Sequence, residues 1–236
     1  LGNLLGLSAL KAARKIETRA DHPLNVMHHT LQLPRADLSD RIAEMEKEVD
    51  DLLAALKGTS LNFKTFIPLY VKYGVNGDSP SYYSHRYLQD EKLGKEDWNK
   101  MDEENRRNME AYVRNIKTME ELTRKQVNLA LLERHHKRNV EAGPTVDVEV
   151  AGLRVGDFRM VTFPGEVTVQ IGLNIKEKSK HEDSYVAGYT NGYIYYSPTA
   201  EQLKNRGGAQ EDSDCLLAPA WQAKFETLAQ QILSEL

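Results

Sequence analysis

The sequence predicts a mixed α+β fold: a β-sheet with helices packed against it, plus a long helical insertion. Two patterns carry this expectation. Between Lys95 and Ala142 no glycine or proline interrupts a densely charged stretch with an intermittent helical apolar stripe. Beyond Pro144 apolar residues recur at every second position, and helical spacing returns towards the C-terminus. Residues 1–236 are read as one partial domain, with 80–143 a helical insertion or projecting arm within it.

Taking the elements in order, Leu4, Leu5, Leu7, Leu10 and Ala13 fall at roughly helical spacing and predict a packed helix, broken by Asp21, His22 and Pro23. Met27, His29, Leu31 and Leu33 alternate as in a strand that ends at Pro34. Asp37 or Ser39 caps a helix carrying Ile42, Met45, Val49, Leu52, Leu53 and Leu56, with Gly58 as its stop. The run Phe66, Ile67, Leu69, Tyr70, Val71 before Gly74, Gly77 and Pro80 reads as a strand or irregular segment. A helix from about Asp102 to Glu141 would be ~60 Å long at 1.5 Å per residue, so it is expected to bend, split or project.

Val146, Val148 and Val150 followed by Leu153, Val155, Phe158 and Met160 predict a hairpin, with Gly156 and Asp157 a bulge or break. Phe163-Pro164-Gly165-Glu166 closes the strand, and Val167, Ile171 and Ile175 start a helix ending near Ser179. A strand spanning 184–196 is expected to join the hairpin in one sheet, with its first part, Ser184 to Tyr189, buried. The chain closes on a helix from Ala218 to Leu236 that turns Trp221, Phe225, Leu228 and Ile232 to the core.

Composition narrows the function classes. With 40% hydrophobic and 28% charged residues the chain is in the globular range, and no run of about 18 apolar residues is present to span a bilayer. A formal charge of −4 gives no electrostatic reason to bind nucleic acid. Cys215 is the only cysteine, which excludes an intrachain disulfide and a thiolate metal cluster. The chain begins Leu1-Gly2-Asn3 without an initiator methionine, so a fragment or processed product is expected.

Two short segments hold the candidate chemistry. Glu166 stands where a strand gives way to a helix, beside free backbone N–H groups, and taken alone is a first-turn acid. Tyr193, Tyr195 and Tyr196 taken alone are sheet-edge aromatics. A tyrosine becomes a credible metal ligand only when a cation depresses its phenol pKa, and a carboxylate from a neighbouring strand end is a chemically matched second ligand.

Read together, Phe-Pro-Gly-Glu after a hairpin strand, a helix, and then Asn191-x-Tyr193-x-x-Tyr196 followed by x-x-Thr199 resemble the neutral/alkaline non-lysosomal ceramidases, at the C-terminal half of their catalytic domain. The match runs from about Val146 to Thr199, with a looser agreement over Leu4 to Leu33; residues from about Asp37 to Gly143 have no matching motif. The resemblance implies a zinc-dependent amidohydrolase acting on an N-acyl or lipid amide such as a sphingolipid, secreted or periplasmic, with Glu166 and Tyr196 as two of the zinc ligands. It also implies that two histidines and the nucleophile come from an N-terminal half, so that this chain alone is inactive and shows apolar edges where that half packs.

Two departures accompany the resemblance. The sequence has no His-x-His segment: His28 and His29 are adjacent in a predicted strand, His135 and His136 in a predicted helix, and adjacent residues point in different directions. Where the family places a substrate-assisting tyrosine, this chain reads Arg206-Gly207-Gly208-Ala209-Gln210, which leaves ceramide itself unsupported as the substrate. The alternative function is a non-catalytic interaction module on the same scaffold, a homo-oligomer formed through its helical region around Ile116 and Met119.

Overall fold

The computed structural model describes residues 1–18, 23–75, 97–204 and 210–236. In chain order the elements are α1 (Gly2–Ala13), β1 (Leu24–Pro34), α2 (Ser39–Ala55), α3 (Phe63–Val75), α4 (Asp97–Ala142), β2 (Thr145–Val155), β3 (Phe158–Thr162), β4 (Glu166–Val167), α5 (Val169–Lys178), β5 (Ser184–Ala187), β6 (Tyr196–Ser197), a 3-10 turn (Gln202–Lys204), α6 (Gln210–Ser213) and α7 (Trp221–Glu235). The α+β class is as the sequence predicts. The chain divides into two compact units, one of Leu1–Ala36, Arg138–Arg206 and Cys215–Leu236, the other of Asp37–Lys137 and Gly207–Asp214.

The first unit holds a four-stranded sheet in the order β1-β2-β3-β5. Period-two patterning sets its register: β1 pairs antiparallel with β2 along its whole length, Leu31 opposite Val148 and His29 opposite Val150. The hairpin turn falls at Gly156 and Asp157, and Gly156 supplies the positive φ of 62° that a tight turn needs. β5 returns parallel to β3 through the crossover helix α5. Below the sheet lies α7, whose Trp221, Phe225, Ala229, Ile232 and Leu233 are buried with Leu33, Val148, Val150, Val161 and Phe163 in one core. Phe163 is its aromatic centre, with ring centroids 5.2 Å from Trp221 and 4.5 Å from Phe225.

Three expectations change in this unit. The 184–196 strand does not exist as one element: β5 stops at Ala187, and Tyr196–Ser197 pairs instead with Glu166–Val167 in a separate two-stranded ladder. The break is backbone-driven, because Tyr189, Asn191 and Tyr195 all have positive φ, which no extended strand accommodates. Tyr185 within β5 is exposed rather than buried. The N-terminal helix Gly2–Ala13 has no buried residue, and its Leu4, Leu5, Leu7 and Leu10 lie exposed.

The second unit is helical. The N-cap position of α2 is Leu38, without a side-chain capping bond, rather than Asp37 or Ser39; Asp37 just before it accepts the Ser39 N–H at 3.0 Å and the Ser39 hydroxyl at 2.7 Å. The segment expected as a strand or irregular run is the helix α3. Its apolar residues Phe63, Phe66, Ile67, Tyr70 and Val71 follow i, i+3, i+4, i+7, i+8 spacing. Its start is fixed by a reciprocal cap in which Asn62 Oδ1 accepts the Thr65 N–H (3.1 Å) and Thr65 Oγ1 accepts the Asn62 N–H (3.0 Å). Phe66 stacks on Tyr112 at 4.5 Å. α4 is one uninterrupted helix of 46 residues rather than two, consistent with its lack of glycine and proline. The first part of the expected 80–143 insertion, residues 80–96, lies outside the described residues.

The unit's buried polar contact joins His135 and Asp214, Nε2 to Oδ1 at 2.5 Å, with the His135 side chain fully buried. Arg134 adds a 3.3 Å ion pair to the same oxygen. His28, on β1, is exposed and within 3.1 Å of Glu149.

Candidate functional site

Glu166 and Tyr196, the two residues the sequence singled out, are register partners in the parallel β4·β6 ladder. The bend that brings them together comes from Phe163-Pro164-Gly165. Phe163 is pinned in the core, and the next residues are stitched to the 187–197 segment by backbone hydrogen bonds. Phe163 N–H donates to Ala187 O (2.8 Å), Ile194 N–H to Pro164 O (2.7 Å) and Glu166 N–H to Tyr195 O (3.0 Å). Gly165 is required by close approach: a Cβ there would lie 2.9 Å from Ser197 Oγ, 3.0 Å from Tyr195 O and 3.1 Å from Phe163 Cε1.

The carboxylate of Glu166 is half-buried and sits among phenols. Tyr193 donates a short hydrogen bond to its Oε1. Partial desolvation pushes the Glu166 pKa up, but the hydrogen bonds from Tyr189, Tyr193 and Tyr196 together outweigh it, and the net shift is downward. The same contact pushes the Tyr189 phenol up to about 12: its hydrogen bond to Glu166 favours the protonated form, with desolvation and the Glu166 charge adding to it.

The tyrosine segment is strained. Tyr189 (φ 57°), Asn191 (φ 57°) and Tyr195 (φ 67°) occupy the left-handed region, which costs a non-glycine residue roughly 1–3 kcal/mol each. Strand-to-segment bonds hold it, and Asn191 Nδ2 adds a bond to Glu149 Oε1 at 3.0 Å, the same oxygen that faces His28. Tyr195 turns away from Glu166: its hydroxyl accepts from Arg138 Nη1 at 3.1 Å, and the guanidinium lies 5.6 Å over its ring. Tyr189 and Tyr193 stack with ring centroids 5.9 Å apart.

The donor set fits part of a zinc site. A carboxylate and a phenol side by side supply two oxygen ligands of the kind zinc accepts, whereas a tetrahedral shell needs four positions. Among the described residues no group of three or more histidine, cysteine, aspartate or glutamate side chains is placed to hold a metal. His28 faces Glu149, and the His135 ring is bonded to Asp214. Residues 206–209, where the sequence offered no tyrosine, lie outside the described residues.

Sequence reasoning missed Tyr189 as a partner of Glu166, since it precedes the Asn-x-Tyr-x-x-Tyr motif. Tyr193 stood inside that motif, but its spacing did not say that it bonds to Glu166.

No protein-family model matches the chain, and no curated protein matches it. Solved structures that match part of it include the following two. Both are ceramidases. One, a ceramidase complexed with C2, shares 23% identity at a TM-score of 0.33, over 37% of this chain and 14% of that chain. The other, neutral ceramidase from Pseudomonas aeruginosa, shares 24% identity at a TM-score of 0.33, over 39% of this chain and 16% of that chain. The matched segment is thus less than a fifth of either ceramidase's length.

Proposed function

We propose that this chain is the C-terminal part of a zinc-dependent amidohydrolase resembling the neutral ceramidases, to which it contributes Glu166 and Tyr196 as two zinc ligands. The observation that carries the reading is the pairing of those two residues in one ladder, 30 positions apart in sequence, each from its own motif. In this reading an N-terminal half of the same domain brings two histidines and the nucleophile, and the chain alone is inactive.

A zinc ion held here would polarise the carbonyl of an N-acyl or lipid amide, which water then cleaves to a carboxylic acid and an amine. Glu166 contributes a carboxylate held ionised by its phenolic donors. Tyr196 contributes a phenol whose hydroxyl proton leaves when the oxygen becomes a ligand. The strand-to-segment hydrogen bonds hold the backbone from which both side chains project, which would lower the ordering cost of binding.

The reading is tested in the protein joined to its N-terminal half. Glu166→Ala is expected to abolish hydrolysis of an N-acyl amide and to release zinc; full activity in that variant defeats the reading.

A second reading, an interaction module that oligomerises through the helical unit, draws on exposed apolar side chains along α4. Ile116, Met119 and Val127 are 38%, 56% and 52% exposed. It predicts a concentration-dependent oligomer that Ile116→Asn and Met119→Gln dissolve, and a strict monomer at high concentration excludes it.

A further inference from the structure

Helix α5 carries two apolar stripes, and the core accounts for one of them. Ile171 and Ile175 are fully buried in that core. Val169, Gly172, Leu173 and Lys176 follow i, i+3, i+4, i+7 spacing on another side of the helix, where Val169 is 74% and Leu173 53% exposed. These four residues and Tyr185 and Val186 of β5 line a slot of about 250 Å³ between helix and strand.

Gly172 leaves that slot open. A glycine inside a helix is less stable than alanine, and no close approach calls for one here. A Cβ at Gly172 would meet Val186 Cβ at 3.9 Å, an ordinary van der Waals distance, whereas at Gly165 it would meet three atoms within 3.1 Å. The missing side chain makes room rather than relieving a clash.

The slot has a cation at one end. Lys176 Nζ lies 4.6 Å from the centroid of the Tyr185 ring, whose face holds the ammonium in place. Among the described residues no carboxylate forms an ion pair with it. An apolar slot that ends at an unneutralised ammonium is complementary to an aliphatic chain that ends in an anion. Its volume lies below the roughly 300–1,000 Å³ of pockets that enclose drug-sized ligands, so it suits one short chain rather than a whole lipid.

We infer that the slot between α5 and β5 binds the carboxylate of a short- to medium-chain fatty acid, its chain lying along Val169, Gly172, Leu173 and Val186 and its head group on Lys176. None of these residues is a proposed zinc ligand, so the inference stands or falls separately from the zinc reading.

The experiment titrates the 236-residue chain, labelled at its valine and leucine methyl groups, with sodium octanoate and follows the methyl NMR signals. Saturable shifts are expected at Val169, Leu173 and Val186, with octan-1-ol and octylamine binding about 10-fold or more weakly because neither presents an anion to Lys176. Gly172→Leu fills the slot with a residue that suits a helix better than glycine, and is expected to remove the shifts while keeping a cooperative thermal transition. Lys176→Met keeps an apolar stem without the charge, and is expected to bind octanoate no more tightly than octan-1-ol. Octanoate that leaves these three methyl signals unmoved, or that binds Gly172→Leu as it binds the parent, overturns the site. Equal affinity for octanoate and octan-1-ol in the parent overturns the carboxylate assignment. Vesicles of phosphatidylglycerol that shift the same methyl signals when octanoate does not would give the slot to a membrane lipid instead and overturn the proposal.

Discussion

Glu166 and Tyr196 face one another across a parallel ladder only two residues long. So short a ladder has little stability of its own. Its geometry is inherited from Phe163 in the core beneath it, and from the hydrogen bonds that tie Pro164, Gly165 and Glu166 to Ile194, Tyr189 and Tyr195. The site therefore depends on residues that do no chemistry.

Gly165→Ala tests that dependence. The added Cβ meets the Tyr195 carbonyl and the Ser197 hydroxyl at about 3 Å, and the Phe163 ring at 3.1 Å leaves no room to withdraw. Overpacking of this kind costs about 1–3 kcal/mol. Denaturant unfolding is expected to show that loss, and it would come with a perturbed Tyr189–Tyr193 stack in tyrosine fluorescence. A variant as stable as the parent means that the turn relaxes more freely than its contacts imply.

Glu226 anchors α7 to α5. It accepts from Asn174 at 3.0 Å, Gln222 at 2.7 Å and Lys178 at 3.0 Å, and its side chain is almost wholly buried. Burial pushes its pKa up, but the hydrogen bonds from Asn174, Gln222 and Lys178 and the Lys178 charge outweigh this, and the net shift is below the ordinary value of 4.5. A carboxyl whose folded pKa is depressed lends stability above its unfolded pKa and loses it as pH falls through the folded value. Glu226→Gln should therefore flatten the acid side of the stability profile below pH 4.5. Glu226→Ala should cost about 1–3 kcal/mol at neutral pH by stranding its partners. An unchanged acid limb in the glutamine variant contradicts this.

In the helical unit, His135→Ala removes the 2.5 Å partner of the Asp214 carboxylate and leaves it the 3.3 Å pair with Arg134. Losing a hydrogen bond to a charged group costs about 1.5–3 kcal/mol, to which the lost ring packing adds. Thermal melting is expected to drop by several degrees while zinc binding, in the joined protein, stays as it is. Loss of zinc with retained stability would make His135 a ligand, contrary to its placement.

How far the sequence could be read follows from which forces set each element. Strands β1 to β3 were legible because one buried face imposes period two: Leu33, Val148, Val150 and Val161 point to the core, and His28 and Gln32 do not. Glu166 and Tyr196 were legible through their motifs. The backbone of 189–195 was not, because left-handed tyrosines are imposed by tertiary hydrogen bonds rather than by any local preference. Tyr189 was hidden for the same reason, since only the bend brings its backbone N–H onto Gly165 beside Glu166. The helix Phe63–Val75 was obscured by Pro68 inside it and by an apolar run whose strand and helix periods overlap.

The most direct test of the zinc assignment is the zinc affinity of Glu166→Ala and Tyr196→Phe in the protein joined to its N-terminal half. The expected result is one zinc ion per wild-type chain and at least a 100-fold loss of affinity in either variant, because each removes a ligand from a four-membered shell. Zinc bound with wild-type affinity by both variants would contradict the assignment of Glu166 and Tyr196 as ligands.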